Sequence, residues 1–381
     1  MNWFRRATRR AISSDYDKII HEQQAMKQNE QEEEDNIMAE NKRQLVLDAL
    51  DNKPVERVPV GFWYHYAFDA LYEDSPKILS RNLAGHQKFF DDFHPDFVKI
   101  MSDGYFRYPN PTVDAVKTAA DLRNVKAANP QDWIDKQVHL VKEVNRKLDH
   151  KLATFYNVFA PATYLKWLLD FNHAAPGSGN DFQGTLFNEF LKEDPEAVRI
   201  ALSEIAKDVK KLATAVIREG GADGIYFSFQ NIQGAGLSKE EYQELIAPSE
   251  LEVLEAANEA GDYNILHICG YEGAVNDLTT YIDYPAKAIN YAATVEGISL
   301  GEAKKLFGGR AVIGGFNNTK DGILYKGSKE EIQDETRRIL EESGTTGIIL
   351  GADCTVPADT PVEHYQWVRE AAELLAKEKA A

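Results

Sequence analysis

From residue 39 onward the chain alternates short, continuous apolar runs with longer stretches in which apolar residues recur every three or four positions. A short apolar run reads as a buried strand, and a three-to-four repeat as a helix with one buried face. Eight runs fit strands: 58–63, 97–102, 152–159, 224–229, 264–269, 288–291, 311–316 and 347–352. Helical patterns occupy 76–93, 130–149, 195–219, 239–260, 272–282, 300–306, 329–343 and 361–379. An earlier helix carries Leu45, Val46, Ala49 and Leu50, and Pro54 ends it. Helix starts are marked by Asp194-Pro195, by Ser238 with Glu241 and by Ser328 with Glu331. Gly220-Gly221, Gly261, Gly308-Gly309 and Gly344 follow helix ends, where a left-handed residue closes the last turn.

Strands each followed by a helix predict an α/β protein, a (β/α)8 TIM barrel with an N-terminal helical extension. A doubly wound open sheet is the competitor, and it would place a glycine-rich phosphate loop after its first strand. That position holds Tyr64-His65-Tyr66-Ala67-Phe68. The longest connections, 104–129 and 160–194, follow the second and third strands. Residues 1–38 break the pattern: four arginines lie between Arg5 and Arg10, and five acids between Glu30 and Asp35. Such a segment is expected to be a flexible charged tail, leaving 39–381 as a single barrel domain.

Composition narrows the partners. A net charge of -18 argues against a nucleic-acid groove or an anionic membrane surface. No apolar run approaches the roughly 18 residues of a membrane span. The basic start Met1-Asn2-Trp3-Phe4-Arg5-Arg6 has no apolar stretch behind it and does not read as a secretory signal. With only two cysteines, the expectation is a cytoplasmic enzyme with free thiols, and a Cys269–Cys354 disulfide is the alternative.

Barrel active sites form at the carboxyl ends of the strands. The polar residues there are Tyr64 and His65, Asp103, then Gln230, Asn231 and Gln233, then His267 and Cys269, Asn290, Asn317 and Asn318, and finally Asp353 and Cys354. Alternation along a strand puts His267 and Cys269 side by side on one face. With Cys354 they make a set of one nitrogen and two sulfurs, which suits Zn²⁺ and leaves a fourth position open. A metal deprotonates a bound thiol, and the thiolate is the nucleophile. Against this stands a reading of both cysteines as small core residues. Asp103 is either an acid that meets substrate or moves a proton, or a turn residue in Asp103-Gly104. Tyr64, His65, Gln230 and Asn290 are candidate substrate contacts. An aromatic-cluster role is the alternative for His65, and bonding to backbone the alternative for Gln230, Asn290 and Asn317.

These residues, in this order, resemble the uroporphyrinogen decarboxylase superfamily from about residue 41 to the end of the chain. The similar landmarks are Lys42-Arg43, Ala49-Leu50, Arg57-Val58-Pro59-Val60, Ala160-Pro161, Leu237-Ser238 leading to Pro248, and Cys354-Thr355-Val356-Pro357. The resemblance implies the same barrel fold and offers two chemistries. The decarboxylase branch has an arginine-glutamine-alanine-glycine-arginine motif after the first strand to grip carboxylates, as bidentate arginines do. The matching Tyr64-His65-Tyr66-Ala67-Phe68 has neither arginine. That branch's aspartate is matched by Asp103, its tyrosine is replaced by Trp167 and its histidine by Asp353. The methyltransferase branch ligates zinc through His-x-Cys and a later Cys, matched by His267, Cys269 and Cys354. The resemblance therefore implies a zinc methyltransferase that moves a methyl group from a corrinoid on a partner protein to a small-molecule thiol. A carboxy-lyase of porphyrin biosynthesis and a non-catalytic ligand-binding barrel are the alternatives.

Overall fold

The computed structural model describes residues 42–173, 184–230 and 232–380. The tail expected at 1–38 and the candidate Asn231 lie outside the described residues. Seven strands form one sheet: β1 (Phe97–Ile100), β2 (Ala153–Phe159), β3 (Gly224–Gln230), β4 (Ile265–Cys269), β5 (Ala288–Tyr291), β6 (Ala311–Phe316) and β7 (Ile348–Ala352). They pair in sequence order, every pair parallel. Parallel neighbours need a crossover, and helices on the outside bury the strands' second face. All seven residues of β2 are accordingly buried, which is why the run reads as continuously apolar.

The first expected strand, 58–63, does not form. It contributes an isolated bridge between Val60 and Leu350 of β7. Its backbone nonetheless reaches both edges of the sheet. Gly61 N donates to Leu350 O at 3.0 Å, Leu350 N to Pro59 O at 2.9 Å, and Asp96 N to Val60 O at 3.0 Å. Two features stop the ladder. Pro59 has no N–H to give, and Val60 N is taken by the Asp96 carboxylate at 2.8 Å. Gly61 is required for the close approach, because a Cβ there would stand 2.3 Å from the Phe97 ring. The arrangement is an α/β fold with a seven-stranded parallel sheet, consistent with a TIM-like barrel.

Two helix expectations also change. The stretch 239–260 is two helices, Lys239–Leu245 and Ala247–Ala260, broken just before Pro248. The expected helix at 272–282 is replaced by the short 3-10 turns Tyr271–Gly273 and Leu278–Tyr281. Between them the Asn276 side chain donates to the carbonyls of Cys269 and Ala274 at 3.1 and 3.3 Å, which offers the backbone an alternative to helix.

The apolar core is divided by the sheet. Outside it, helices such as Ile78–Phe93, Gln131–Lys147 and Pro195–Arg218 bury their apolar faces in one large cluster. A second cluster combines Phe97, Ala153, Phe155, Tyr226, Ile265, Ala288, Ala311, Ile313 and Ile349 with Trp63. Val46, Leu47, Ala49 and Leu50, from a helix over 42–50, close its lower end. Strand residues two apart share a face. Continuing those inward positions toward the carboxyl ends gives Lys99, Asn157, Ser228, His267, Cys269, Asn290 and Asp353, all buried. The inward face thus turns from apolar to polar along its length. No helix among the described residues is long and apolar enough to cross a membrane.

Candidate metal centre at the carboxyl ends of the strands

His267 and Cys269 project side by side from β4, with Ser228 and Gln230 of β3 as their register partners on one side. Asn290 of β5 is paired with His267 on the other. Cys354 lies two residues beyond β7. The three ligand atoms all lie within 4.8 Å of one another. Cys269 Sγ is 3.7 Å from Cys354 Sγ, and Cys354 Sγ is 3.6 Å from His267 Nε2. Both thiols are free, so the disulfide alternative is not formed. His267 and Cys269 are fully buried, while Cys354 is half-buried and gives the cluster an outward side.

The imidazole is set by Asn290. Its Nδ2 donates to Ile313 O at 2.9 Å and Ala352 O at 3.3 Å, which turns Oδ1 toward His267 Nδ1 at 2.5 Å. The proton then belongs on Nδ1, and the Nε2 lone pair faces the sulfurs. Asn290, expected from sequence to meet substrate, is fully buried with its amide spent in this way. Asn276, bonded to Cys269 O, is held in turn by Glu296 at 3.0 Å. The hydrogen bond with Cys354, together with burial, pushes the Cys269 thiol up. The same bond lowers Cys354, with His267 and Lys99 assisting against burial.

Lys99 was not singled out by sequence reasoning. It is 4% exposed, at an inward position of β1. Its Nζ lies 4.3 Å from the Tyr226 ring centroid and 5.0 Å from that of Trp63. Burial lowers its pKa to about 8, against the opposing pull of Cys354, Cys269 and Asp103. The available signal was one lysine in the apolar run Phe97-Val98-Lys99-Ile100-Met101, since lysine is almost never fully buried without a reason. The nearby Tyr226 hydroxyl and Trp63 Nε1 are buried without hydrogen-bond partners among the described residues.

Asp103 is fully buried, and its carboxylate is engaged on both oxygens. Oδ1 stands 2.7 Å from His65 Nδ1, while Oδ2 accepts from Tyr66 N at 2.7 Å and Ala67 N at 2.9 Å. Burial pushes this carboxyl up, but the bonds from His65, Ala67 and Tyr66 outweigh it and hold it below the usual range. His65 is pinned by that bond, with its ring 5.6 Å from Phe68 and 5.9 Å from Phe106. Phe106 stacks on Trp167 at 5.4 Å, and both pack edge-on against Phe159 at 4.6 Å. An aromatic wall thus stands beside His65. Tyr64 packs instead against Tyr66 and Phe89, at 4.9 and 5.1 Å, in the outer cluster.

Gln230 is half-buried opposite Cys269 in register, and its backbone is held by Thr163 Oγ1 and by Lys166 Nζ at 2.6 Å. Asp353 accepts from Thr294 N at 3.0 Å and from the Thr294 hydroxyl, while its Oδ1 has no hydrogen-bond partner among the described residues. Burial pushes its carboxyl up to about 7. Asn317 caps its own turn by accepting from Thr319 N, and Asn318 donates to Thr355 O.

The family model described as Uroporphyrinogen decarboxylase (URO-D) matches residues 104–374, a span that includes His267, Cys269 and Cys354. A uroporphyrinogen decarboxylase from Cellvibrio japonicus (strain Ueda107) is 26% identical over 252 residues. That alignment spans 66% of this chain and 66% of the relative, just under two thirds of its length. A methyltransferase from Methanosarcina mazei shares the fold, with a TM-score of 0.65 at 16% sequence identity, over 89% of this chain and 99% of that one.

Proposed function

The chain belongs to the uroporphyrinogen decarboxylase family, and on that premise we propose that it is a zinc-dependent methyltransferase, moving a methyl group from a corrinoid on a partner protein to a small-molecule thiol. One observation carries the reading: His267, Cys269 and Cys354 converge within 4.8 Å, with the Nε2 of a tautomer-fixed imidazole facing the sulfurs. The donor set fits zinc, which favours nitrogen and sulfur and, with three protein ligands, keeps one position for a substrate. When bound, zinc would hold the substrate sulfur as a thiolate, its nucleophilic form.

The chain's own residues divide the remaining work. Asn290 holds the His267 tautomer, and Asn276 fixes the backbone carbonyl of Cys269. Half-buried Cys354 leaves the centre approachable from the mouth. Asp103 keeps His65 oriented, and His65 aligns the far end of the thiol against the wall of Phe106 and Trp167. Such alignment makes the encounter with the methyl donor effectively intramolecular.

The name of the Cellvibrio japonicus relative favours a second reading, a carboxy-lyase. Two features weigh against it. The first loop has no arginine for substrate carboxylates, and the Asp103 carboxylate is already engaged by three groups. Metal analysis of the purified full chain beside Cys269→Ala separates the readings. The expected result is about one zinc per wild-type chain, little in the variant, and thiol-dependent demethylation of methylcobalamin. Less than about a tenth of an equivalent in the wild type would sink the methyltransferase reading, since a three-ligand site survives purification. Release of CO₂ from uroporphyrinogen would favour the lyase, and zinc with neither activity a ligand-binding barrel.

A further inference from the structure

Counting charge at the candidate centre exposes a deficit. Two cysteinates would offset Zn²⁺, and His267, giving its Nε2 lone pair to the metal with its proton on Nδ1 toward Asn290, would add no charge. A substrate that arrives as thiolate therefore adds one uncompensated negative charge, in a place where charge is costly unless it is paired. Two buried lysines stand near. Lys166 also feels Cys269, but it commits its ammonium to Gln230 O at 2.6 Å and has Asp170 acting on it. Lys99 forms no salt bridge among the described residues. Its ammonium rests on the rings of Tyr226 and Trp63, whose centroids are 5.3 Å apart. The Tyr226 ring in turn lies 5.7 Å from that of His267. Aromatic faces hold a cation without neutralising it. The groups its charge acts on are Cys354, Cys269 and Asp103, and Asp103 is already satisfied by His65 and two backbone amides.

Building on the zinc–thiol reading, we propose that Lys99 is the positioning residue that makes this centre select an anionic sulfur over a neutral ligand, by balancing the charge the thiolate brings. The step is simple in atoms. The substrate S–H bond breaks, the electron pair stays on sulfur, and the proton leaves to solvent. The ammonium of Lys99 keeps its own proton and forms no bond.

The test is ligand selectivity in the zinc-loaded full chain. Wild type, Lys99→Met and Lys99→Arg are titrated at pH 7 with 2-mercaptoethanol and, separately, with imidazole, by calorimetry in two buffers of different ionisation enthalpy. Wild type is expected to release about one proton per thiol bound. Lys99→Met, a similar length without charge in an apolar surround, should keep its zinc. It should bind 2-mercaptoethanol at least about tenfold more weakly, with imidazole changed by less than about threefold. Lys99→Arg, which keeps the charge, should keep the preference for the thiol. Equal weakening of both ligands, unchanged thiol affinity in Lys99→Met, or loss of its zinc would each overturn the proposal. A wild type that holds no zinc, or takes up no thiol, fails the methyltransferase reading instead.

Discussion

At the amino ends of the strands, Arg57 gives two guanidinium nitrogens to Asp96, at 2.6 and 2.7 Å, and Val60 N donates to the same carboxylate. Nearby, Arg43 pairs with Asp223, whose second oxygen accepts from Thr154 N at 3.0 Å. At the carboxyl ends the habit reverses. Among the described residues Lys99 forms no salt bridge, Asp353 keeps one buried oxygen unbonded, and the Tyr226 hydroxyl is buried without a partner. Both regions bury ionisable groups; the first pairs Asp96 and Asp223 with arginines, while the second satisfies Asp103 but gives Lys99 no ion pair among the described residues. A buried charge left unpaired is expensive, so it persists where something other than stability maintains it. The division follows the general layout of such sheets, with stability at one end and ligands at the other.

Three perturbations test that contrast, from the largest effect to the smallest. Asp96→Ala removes one half of a buried pair and should destabilise the chain by about 3–5 kcal/mol, read by denaturant unfolding. Its zinc content per folded molecule should not change. Zinc loss in that variant would mean that the two ends are coupled. Asn290→Ala acts at the other end. It releases the Nδ1 proton of His267 and should weaken zinc binding by about 10- to 100-fold, measured by competition with a chelator. Unchanged affinity would show that Asn290 does not set the imidazole.

The smallest effect concerns an acid on the helix Ala247–Ala260. Glu250 is fully buried between the hydroxyls of Tyr242 at 2.8 Å and Tyr284 at 2.5 Å, and burial raises its pKa to about 8. Its folded pKa lies above the unfolded value, so the folded chain binds the extra proton. Stability from this group is present in full below the unfolded pKa and is lost as pH rises toward 8. Glu250→Gln should flatten that slope in unfolding midpoints measured between pH 5 and 8, a window set by the raised pKa. An unchanged slope would mean that Glu250 is already ionised in the folded chain.

Alternation of strands and helices makes most of the architecture legible in the sequence. What failed was local. The run at 58–63 has a strand's composition, yet Pro59 lacks a donor and the Asp96 carboxylate captures Val60 N, so pairing stops at one bridge. The periodicity of 272–282 reads as helix, but the Asn276 side chain bonds the backbone that a helix would need. Within the site, His267, Cys269 and Cys354 were readable because strand period and cysteine scarcity point to the same place. Partnerships were not. Nothing local to Asp103 reveals that three donors, from His65, Tyr66 and Ala67, exhaust it. Asn290 could be assigned to a strand end, though not to the imidazole of the neighbouring strand. Lys99 stands in an apolar run, and nothing in that run tells that the rings of Tyr226 and Trp63 lie beneath its ammonium.

X-ray absorption at the zinc edge of the purified full chain tests the central claim most directly. The account predicts two sulfurs at about 2.3 Å and an imidazole nitrogen at about 2.0–2.1 Å in the thiol-free protein. Adding 2-mercaptoethanol should bring a third sulfur into the shell. A chain without zinc, or a shell whose sulfur count does not rise with the thiol, would contradict it.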